Sequence, residues 1–312
     1  MKLLLAKPRG FCAGVVRAID TVEQALMLWG APIYVKHHIV HNRHVVSSLE
    51  KKGAIFIEDL NKVPPGSRLI YSAHGIPPEI RQQAKKRGLI EIDATCGLVT
   101  RVHSAVKRFA KKGYHILLIG HRQHVEVIGT VGEAPNQTTV IESIEDIERL
   151  NFSIDQKLFY VTQTTLSVDD VKDIVGALKV KYPQVATLPT SSICYATTNR
   201  QLSLCKMTKC ADLMLVVGDQ TSSNSNRLCE VARKRDVPAY LINGPEEIEP
   251  SWLKGIEVIG LTAGASTPEL IVQQCVSRLQ ECGVLEIKEM EYVKEEVFFQ
   301  LPQEVQSIEL LN

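Results

Sequence analysis

Residues 2–26, KLLLAKPRGFCAGVVRAIDTVEQAL, contain one complete strand, turn and helix. The run Lys2 to Ala6 is short and apolar and stops at Lys7-Pro8-Arg9, as a buried strand does. After Cys12, the side chains of Val15, Val16, Ile19, Val22 and Leu26 fall on one face of a helix. Between the two lies a glycine-containing turn that carries a thiol.

The same unit recurs along the chain. Short β-branched runs stand at Ile33 to Val35, Arg68 to Tyr71, Leu89 to Ile92, His115 to Ile119, Leu158 to Val161, Val185 to Leu188, Leu213 to Val217 and Glu257 to Leu261. Most are followed by a polar turn and then a helical pattern. Alternation of this kind defines an α/β protein with mostly parallel sheets. In such sheets ligands bind beyond the carboxyl ends of the strands, so the turns there are where chemistry is expected.

Those turns repeat with a nearly constant step. Cys12 is followed after 29 residues by His41 and then by His74; Cys96 after 28 by His124 and then Thr164; Cys194 after 28 by Ser222 and then Ser266. Each block has the length of a βαβαβ unit, so the chain reads as three related small domains. The strand that closes each block lies just before the next cysteine, and the third block needs Lys2 to Ala6 from the other end of the chain. The expected domains are therefore 14–96, 97–193, and 1–13 with 194–281. Residues 282–312 form a C-terminal docking tail.

Lys plus Arg total 36 against Asp plus Glu 35 in 312 residues, with 45% hydrophobic and 23% charged residues. A nucleic-acid partner held by bulk positive charge is not expected. No apolar run reaches the ~18 residues of a membrane span, and Leu3 to Ala6 is too short for a secretory signal. A soluble cytoplasmic protein with no membrane partner is expected. Its eight cysteines are too sparse for a disulfide scaffold and read as thiols or metal ligands.

Three of them, Cys12, Cys96 and Cys194, each open a helical pattern, where free amides and the helix dipole favour a thiolate. Three thiolates can hold a zinc ion or three irons of a cubane cluster, either of which keeps one position open. Three buried core cysteines are the alternative. Cys205, Cys210, Cys229, Cys275 and Cys282 match no compact metal motif and read as packing or surface residues.

The remaining turns carry His41, His74, His124, Glu126, Thr164, Thr165, Ser222, Ser223, Asn224 and Ser266, nearly all neutral hydrogen-bonding groups. With amides at helix starts they suit a phosphate or diphosphate. Glu126 is the single fixed acid. Desolvation beside a metal cluster would raise its proton affinity and make it a proton donor, with the Thr164 hydroxyl passing the proton on; a solvent-facing loop carboxylate is the alternative. No GxGxxG or Walker loop is present, which disfavours a tightly held dinucleotide or nucleoside triphosphate.

The strings Pro8-Arg9-Gly10-Phe11-Cys12-Ala13-Gly14, Ser72-Ala73-His74-Gly75, Asp93-Ala94-Thr95-Cys96, Gln163-Thr164-Thr165-Leu166-Ser167, Cys194-Tyr195-Ala196-Thr197-Thr198-Asn199-Arg200-Gln201, Ser222-Ser223-Asn224-Ser225 and Thr262-Ala263-Gly264-Ala265-Ser266 resemble, in order, the 4-hydroxy-3-methylbut-2-enyl diphosphate reductase family. The resemblance implies a trefoil of three similar small α/β domains around a central cavity. It also implies a 4Fe-4S cluster on Cys12, Cys96 and Cys194 with one open iron. A diphosphate substrate is then held by His41, His74, His124, Thr164, Ser222, Ser223, Asn224 and Ser266, with Glu126, Thr164 and His124 as catalytic residues. The implied reaction is reductive dehydroxylation to isopentenyl and dimethylallyl diphosphate, the last step of the methylerythritol phosphate route. Reduced ferredoxin or flavodoxin is the implied electron donor. This chain departs from the family pattern at Gln123-His124-Val125-Glu126, where Gly-His-Pro-Glu is common, and at Gly97, where Pro is common. The alternatives are a non-redox iron–sulfur hydro-lyase and an iron–sulfur sensor or binding module.

Overall fold

A computed structural model of the chain describes residues 1–306. The elements in its first half are β1 (Lys2–Lys7), α1 (Ala13–Trp29), β2 (Ile33–Lys36), α2 (Arg43–Lys51), β3 (Ala54–Ile57), β4 (Arg68–Tyr71), α3 (Pro78–Lys86), β5 (Ile90–Asp93), α4 (Gly97–Lys111), β6 (His115–Ile119), α5 (Val125–Gly132), β7 (Thr138–Ile141) and α6 (Ile144–Glu148). The second half adds β8 (Leu158–Thr162), α7 (Val168–Lys181), β9 (Ala186–Thr187), α8 (Tyr195–Met207), β10 (Leu213–Val217), α9 (Ser223–Arg233), β11 (Ala239–Ile242), β12 (Val258–Ala263), α10 (Glu269–Glu281) and β13 (Glu286–Glu291).

The strands form three sheets, and their pairings are parallel: β11-β10-β12-β1-β13, β3-β2-β4-β5 and β7-β6-β8-β9. The α/β class with parallel sheets expected from the sequence is thus observed. The chain divides into two compact units. One comprises Met1–Val15, His41–Val45 and Cys194–Phe298; the other comprises Val16–Val40, Val46–Ile193 and the described residues from Phe299.

In the first unit the five-stranded sheet is apolar on both faces. Leu3 and Leu5 pack with Leu213, Leu215, Ile259 and Leu261 against Val272 and Leu279 of α10. Leu4 and Ala6 face the other way, with Met214 and Val216, against Leu204 of α8 and Leu228 of α9. A strand buried on both sides reads as a continuous apolar run, which is why Leu3 to Ala6 shows no polar alternation. In the second unit Leu117, Ile119 and Leu158 pack on α7, while Ile116, Leu118 and Val161 pack on α4 and α5. Leu69 and Tyr71 of β4 pack with Ala84 of α3.

Two local differences from the sequence reading have simple causes. The buried face of α1 runs through Val15, Ala18, Val22 and Ala25, and Val16 points outward, because small alanines let the helix lie close to its neighbours. Residues Glu286–Glu291, inside the expected tail, pair with β1 as β13, so this stretch closes a sheet edge. Among the described residues, no helix is long and apolar enough to cross a membrane.

Candidate active site

Each of the nine site turns follows the carboxyl end of a strand: Cys12 after β1, His41 after β2, His74 after β4, Cys96 after β5, His124 after β6, Thr164 after β8, Cys194 after β9, Ser222 after β10 and Ser266 after β12. Since every sheet is parallel, this places chemistry at one end of each sheet by topology alone.

In the second unit, β6 and β8 are adjacent and in register from His115↔Leu158 to Ile119↔Thr162, so their following turns meet. Gln163 fastens the junction: its N–H donates to the Ile119 carbonyl at 2.8 Å, and its Oε1 accepts from the His121 N–H at 3.0 Å. The result is a buried pair. Glu126 Oε1 accepts the Thr164 N–H at 2.7 Å, and Oε2 accepts the Thr164 hydroxyl at 2.7 Å. Glu126 is only 3% exposed, and burial pushes its carboxyl up; the two bonds from Thr164 and the charge of His103 pull the other way without cancelling it. His124 caps α5 by accepting the Glu126 N–H on Nδ1 at 3.2 Å, and its ring stands edge-on to that of His74, with centroids 6.2 Å apart.

Cys96 belongs to the same unit and is the N-cap of α4. Its own N–H donates to the Ala73 carbonyl at 3.0 Å, tying it to the turn that carries His74. Arg17, missed in the sequence, donates to the carbonyls of Asp93 and Thr95 just before Cys96, and to that of Gln300. A Cβ on Gly97 would stand 3.0 Å from the Phe299 ring, so glycine lets that ring close on the first turn of α4.

Cys12 and Cys194 lie in the first unit. The Cys12 N–H donates to the Ala265 carbonyl at 3.1 Å, and the next amide donates to the Tyr195 hydroxyl, also at 3.1 Å. Cys194 caps α8, with Sγ accepting the Thr197 N–H at 3.3 Å. Arg200, fully buried, donates to the carbonyls of Gly10 and Ala196 and pairs with Glu295 at 3.0 Å. It thereby fixes the Cys12 turn against the helix that Cys194 heads. No signal in the sequence marked Arg200, because its partners are remote along the chain.

The first unit also holds the start of α9. Ser222 caps it, its hydroxyl accepting the Ser225 N–H at 3.3 Å, and both polar atoms of the buried Asn224 amide lack a hydrogen-bond partner. Ser266 donates to the His41 carbonyl at 2.9 Å. A Cβ on Gly264 would fall 2.0 Å from the Ser225 hydroxyl, so only glycine lets these turns approach. Asp219, also missed, accepts the Arg43 N–H at 3.0 Å and joins the His41 turn to that of Ser222. A buried, unsatisfied amide beside helix amides and hydroxyls fits an anionic, oxygen-rich ligand.

No disulfide joins any of the eight cysteines. Cys229 and Cys275 are buried, and burial pushes each thiol up to about 12, which makes them poor ligands. Cys12, Cys96 and Cys194 are instead part-exposed and stand at helix starts, as thiolate ligands should. Among the described residues, no group of three or more His, Cys, Asp or Glu side chains is arranged to hold a single metal ion. Part-exposed thiols at helix starts are the kind of donor that iron–sulfur clusters take.

Parallel three-layer sheets with polar and thiol groups at their carboxyl ends define an α/β protein of the ligand-binding type. The chain belongs to the LytB protein family, which matches residues 3–280. It is 68% identical over 305 residues to the 4-hydroxy-3-methylbut-2-enyl diphosphate reductase of Protochlamydia amoebophila (strain UWE25), covering 98% of this chain and 97% of that one. It is 61% identical to the protein of the same name from Chlamydia trachomatis serovar L2b (strain UCH-1/proctitis), covering 97% and 99%. The solved E-1-hydroxy-2-methyl-but-2-enyl-4-diphosphate reductase of Plasmodium falciparum superposes with a TM-score of 0.96 at 51% identity, covering 99% of this chain and 97% of that one.

Proposed function

We propose that this chain reductively dehydroxylates (E)-4-hydroxy-3-methylbut-2-enyl diphosphate to isopentenyl and dimethylallyl diphosphate, the last step of the methylerythritol phosphate route. The observation that carries the reading is the buried Glu126–Thr164 pair, an acid whose proton affinity burial raises and which is wired to a hydroxyl. The names of the close relatives support the same reaction. The division into 14–96, 97–193 and 1–13 with 194–281 is supported by each span holding the strands of one sheet; the tail 282–312 adds β13 to the last.

Cys12, Cys96 and Cys194 would supply thiolates to a 4Fe-4S cluster, which when bound supplies electrons singly and an open iron as Lewis acid. The start of α9, with Ser222, Ser223 and Asn224, and the residues Ser266, His41, His74 and His124 hold the diphosphate by hydrogen bonds to neutral donors. That holding fixes the allylic hydroxyl at Thr164. With Glu126 protonated, its O–H donates to the Thr164 Oγ, and the threonine hydrogen is released toward the substrate oxygen. The carbon–oxygen bond breaks with its electron pair on oxygen, hydroxide plus this proton leave as water, and two electrons from the reductant pass to the allyl unit. A second proton, from the substrate's own diphosphate, completes a carbon–hydrogen bond at one end or the other and so sets the product. Reduced ferredoxin or flavodoxin would deliver the electrons in the cytoplasm.

The test is anaerobic incubation of the iron-loaded enzyme with substrate, with and without a low-potential reductant. Both products should form only with reductant. Water addition or loss without reductant would point to a hydro-lyase instead. Glu126→Gln should lower turnover about 100-fold or more while leaving iron content and cluster absorbance intact.

A further inference from the structure

The chemistry above uses Glu126 and leaves a second buried acid and imidazole unexplained. His103, on α4, is almost fully buried, and its Nδ1 stands 2.9 Å from Glu133 Oε1 at the C-terminal cap of α5. Glu133 Oε2 lies 2.9 Å from Lys107 Nζ, whose ammonium is half exposed. The other ring nitrogen, Nε2, is buried with no hydrogen-bond partner. A buried unsatisfied polar atom carries a penalty of roughly 1–3 kcal/mol, which a purely packing residue at this position would avoid.

Two glycines seat this ring. Gly129 is one turn beyond Glu126 on the same face of α5, and a Cβ there would lie 3.4 Å from His103 Cε1 and 3.5 Å from Nε2. Gly75, directly after His74 and at φ +78°, would place a Cβ 3.0 Å from the same Cε1. The imidazole is therefore wedged between the Glu126–Gly129 face of α5 and the turn of His74. Its unpartnered nitrogen lies along the helix face that carries the acid.

We infer that His103, oriented by Glu133, is a positioning residue for the proton step, holding a buried positive charge against the helix that carries Glu126. The inference rests on the reading of Glu126 as proton donor. Burial alone would raise the Glu133 carboxyl, but hydrogen bonds from His103 and Lys107 outweigh it and hold it below the ordinary value, so Glu133 is an anion. Positive charge at His103 opposes the effect of burial on Glu126 and so favours release of its proton. The ionisable groups facing the ring are Lys107 on α4 and Glu133 and Glu126 on α5, with His124 at the α5 cap and His74 beside Gly75.

The test compares His103→Gln and His103→Asn with the parent as iron-loaded, full-length enzyme. Infrared difference titration follows the Glu126 carboxyl band, identified by its loss in Glu126→Gln. Both variants should move the band's midpoint upward by roughly half a pH unit or more, because a cation near the carboxylate has been lost. The alkaline limb of kcat against pH should move the same way. An unmoved midpoint in variants that melt as the parent does overturns the inference, and two variants guard against either one failing to fold. A midpoint that moves while the kcat limb stays fixed supports the charge coupling and instead removes Glu126 as proton donor.

Discussion

Glu126 answers two conflicting demands: its oxygens accept two hydrogen bonds, which favour the anion, and its surroundings exclude water, which favours the acid. Burial is the larger effect, so the folded carboxyl sits above its unfolded value. A group raised in this way contributes stability that is complete at low pH and is lost as pH rises through the folded value. Glu126→Gln removes that dependence while keeping most of the shape. Its melting temperature should exceed the parent's by a few degrees at mildly alkaline pH and equal it below the ordinary carboxylate range. Equal melting curves at both ends, followed by differential scanning calorimetry, would mean that the acid ionises freely in the fold. At this scale the sequence was informative where chemistry is local: Glu126 and His124 are two residues apart in one turn. Arg200 and Asp219 were illegible, since their roles depend on Gly10, Glu295 and Arg43, far away in number.

Among elements, the nine strands that carry a site turn at their carboxyl end are the nine legible as apolar runs. The four that went unread, β3, β7, β11 and β13, are all sheet edges. β13, Glu-Ile-Lys-Glu-Met-Glu, is exposed and polar, as an edge can be, but β3, Ala-Ile-Phe-Ile, and β11, Ala-Tyr-Leu-Ile, are apolar, and the edges β5 and β9 were legible, so edge position alone does not explain the misses. Helix starts separate stability from function. Ser222 caps α9 at the candidate anion site, and Ser167 caps α7, its hydroxyl accepting the Asp170 N–H. Ser222→Ala and Ser167→Ala should each lower unfolding free energy by about 1 kcal/mol in urea titrations. Only Ser222→Ala should raise KM for the diphosphate several-fold. A matching KM change in Ser167→Ala would show that helix integrity alone, and not the α9 start, governs substrate capture.

For the molecule as a whole, the telling feature is how far apart in the chain its partners lie. Arg200 joins Gly10, Ala196 and Glu295 at a position with no exposure. Removing one member leaves a buried charge without its counter-ion, so Glu295→Ala should cost roughly 3 kcal/mol or more in urea unfolding, and Glu295→Gln less. A loss within a few tenths of a kcal/mol for Glu295→Ala would mean that water replaces the carboxylate. The placement of β1 has a consequence for biosynthesis. Lys2 stands opposite Val258 and Glu286, so β1 finds its sheet neighbours only after the chain through β12 and β13 has been made. Until then Leu3, Leu4 and Leu5 are sticky and the adjoining thiol of Cys12 is open to oxidants. Late burial of β1, after β12 has formed, follows from that order of assembly.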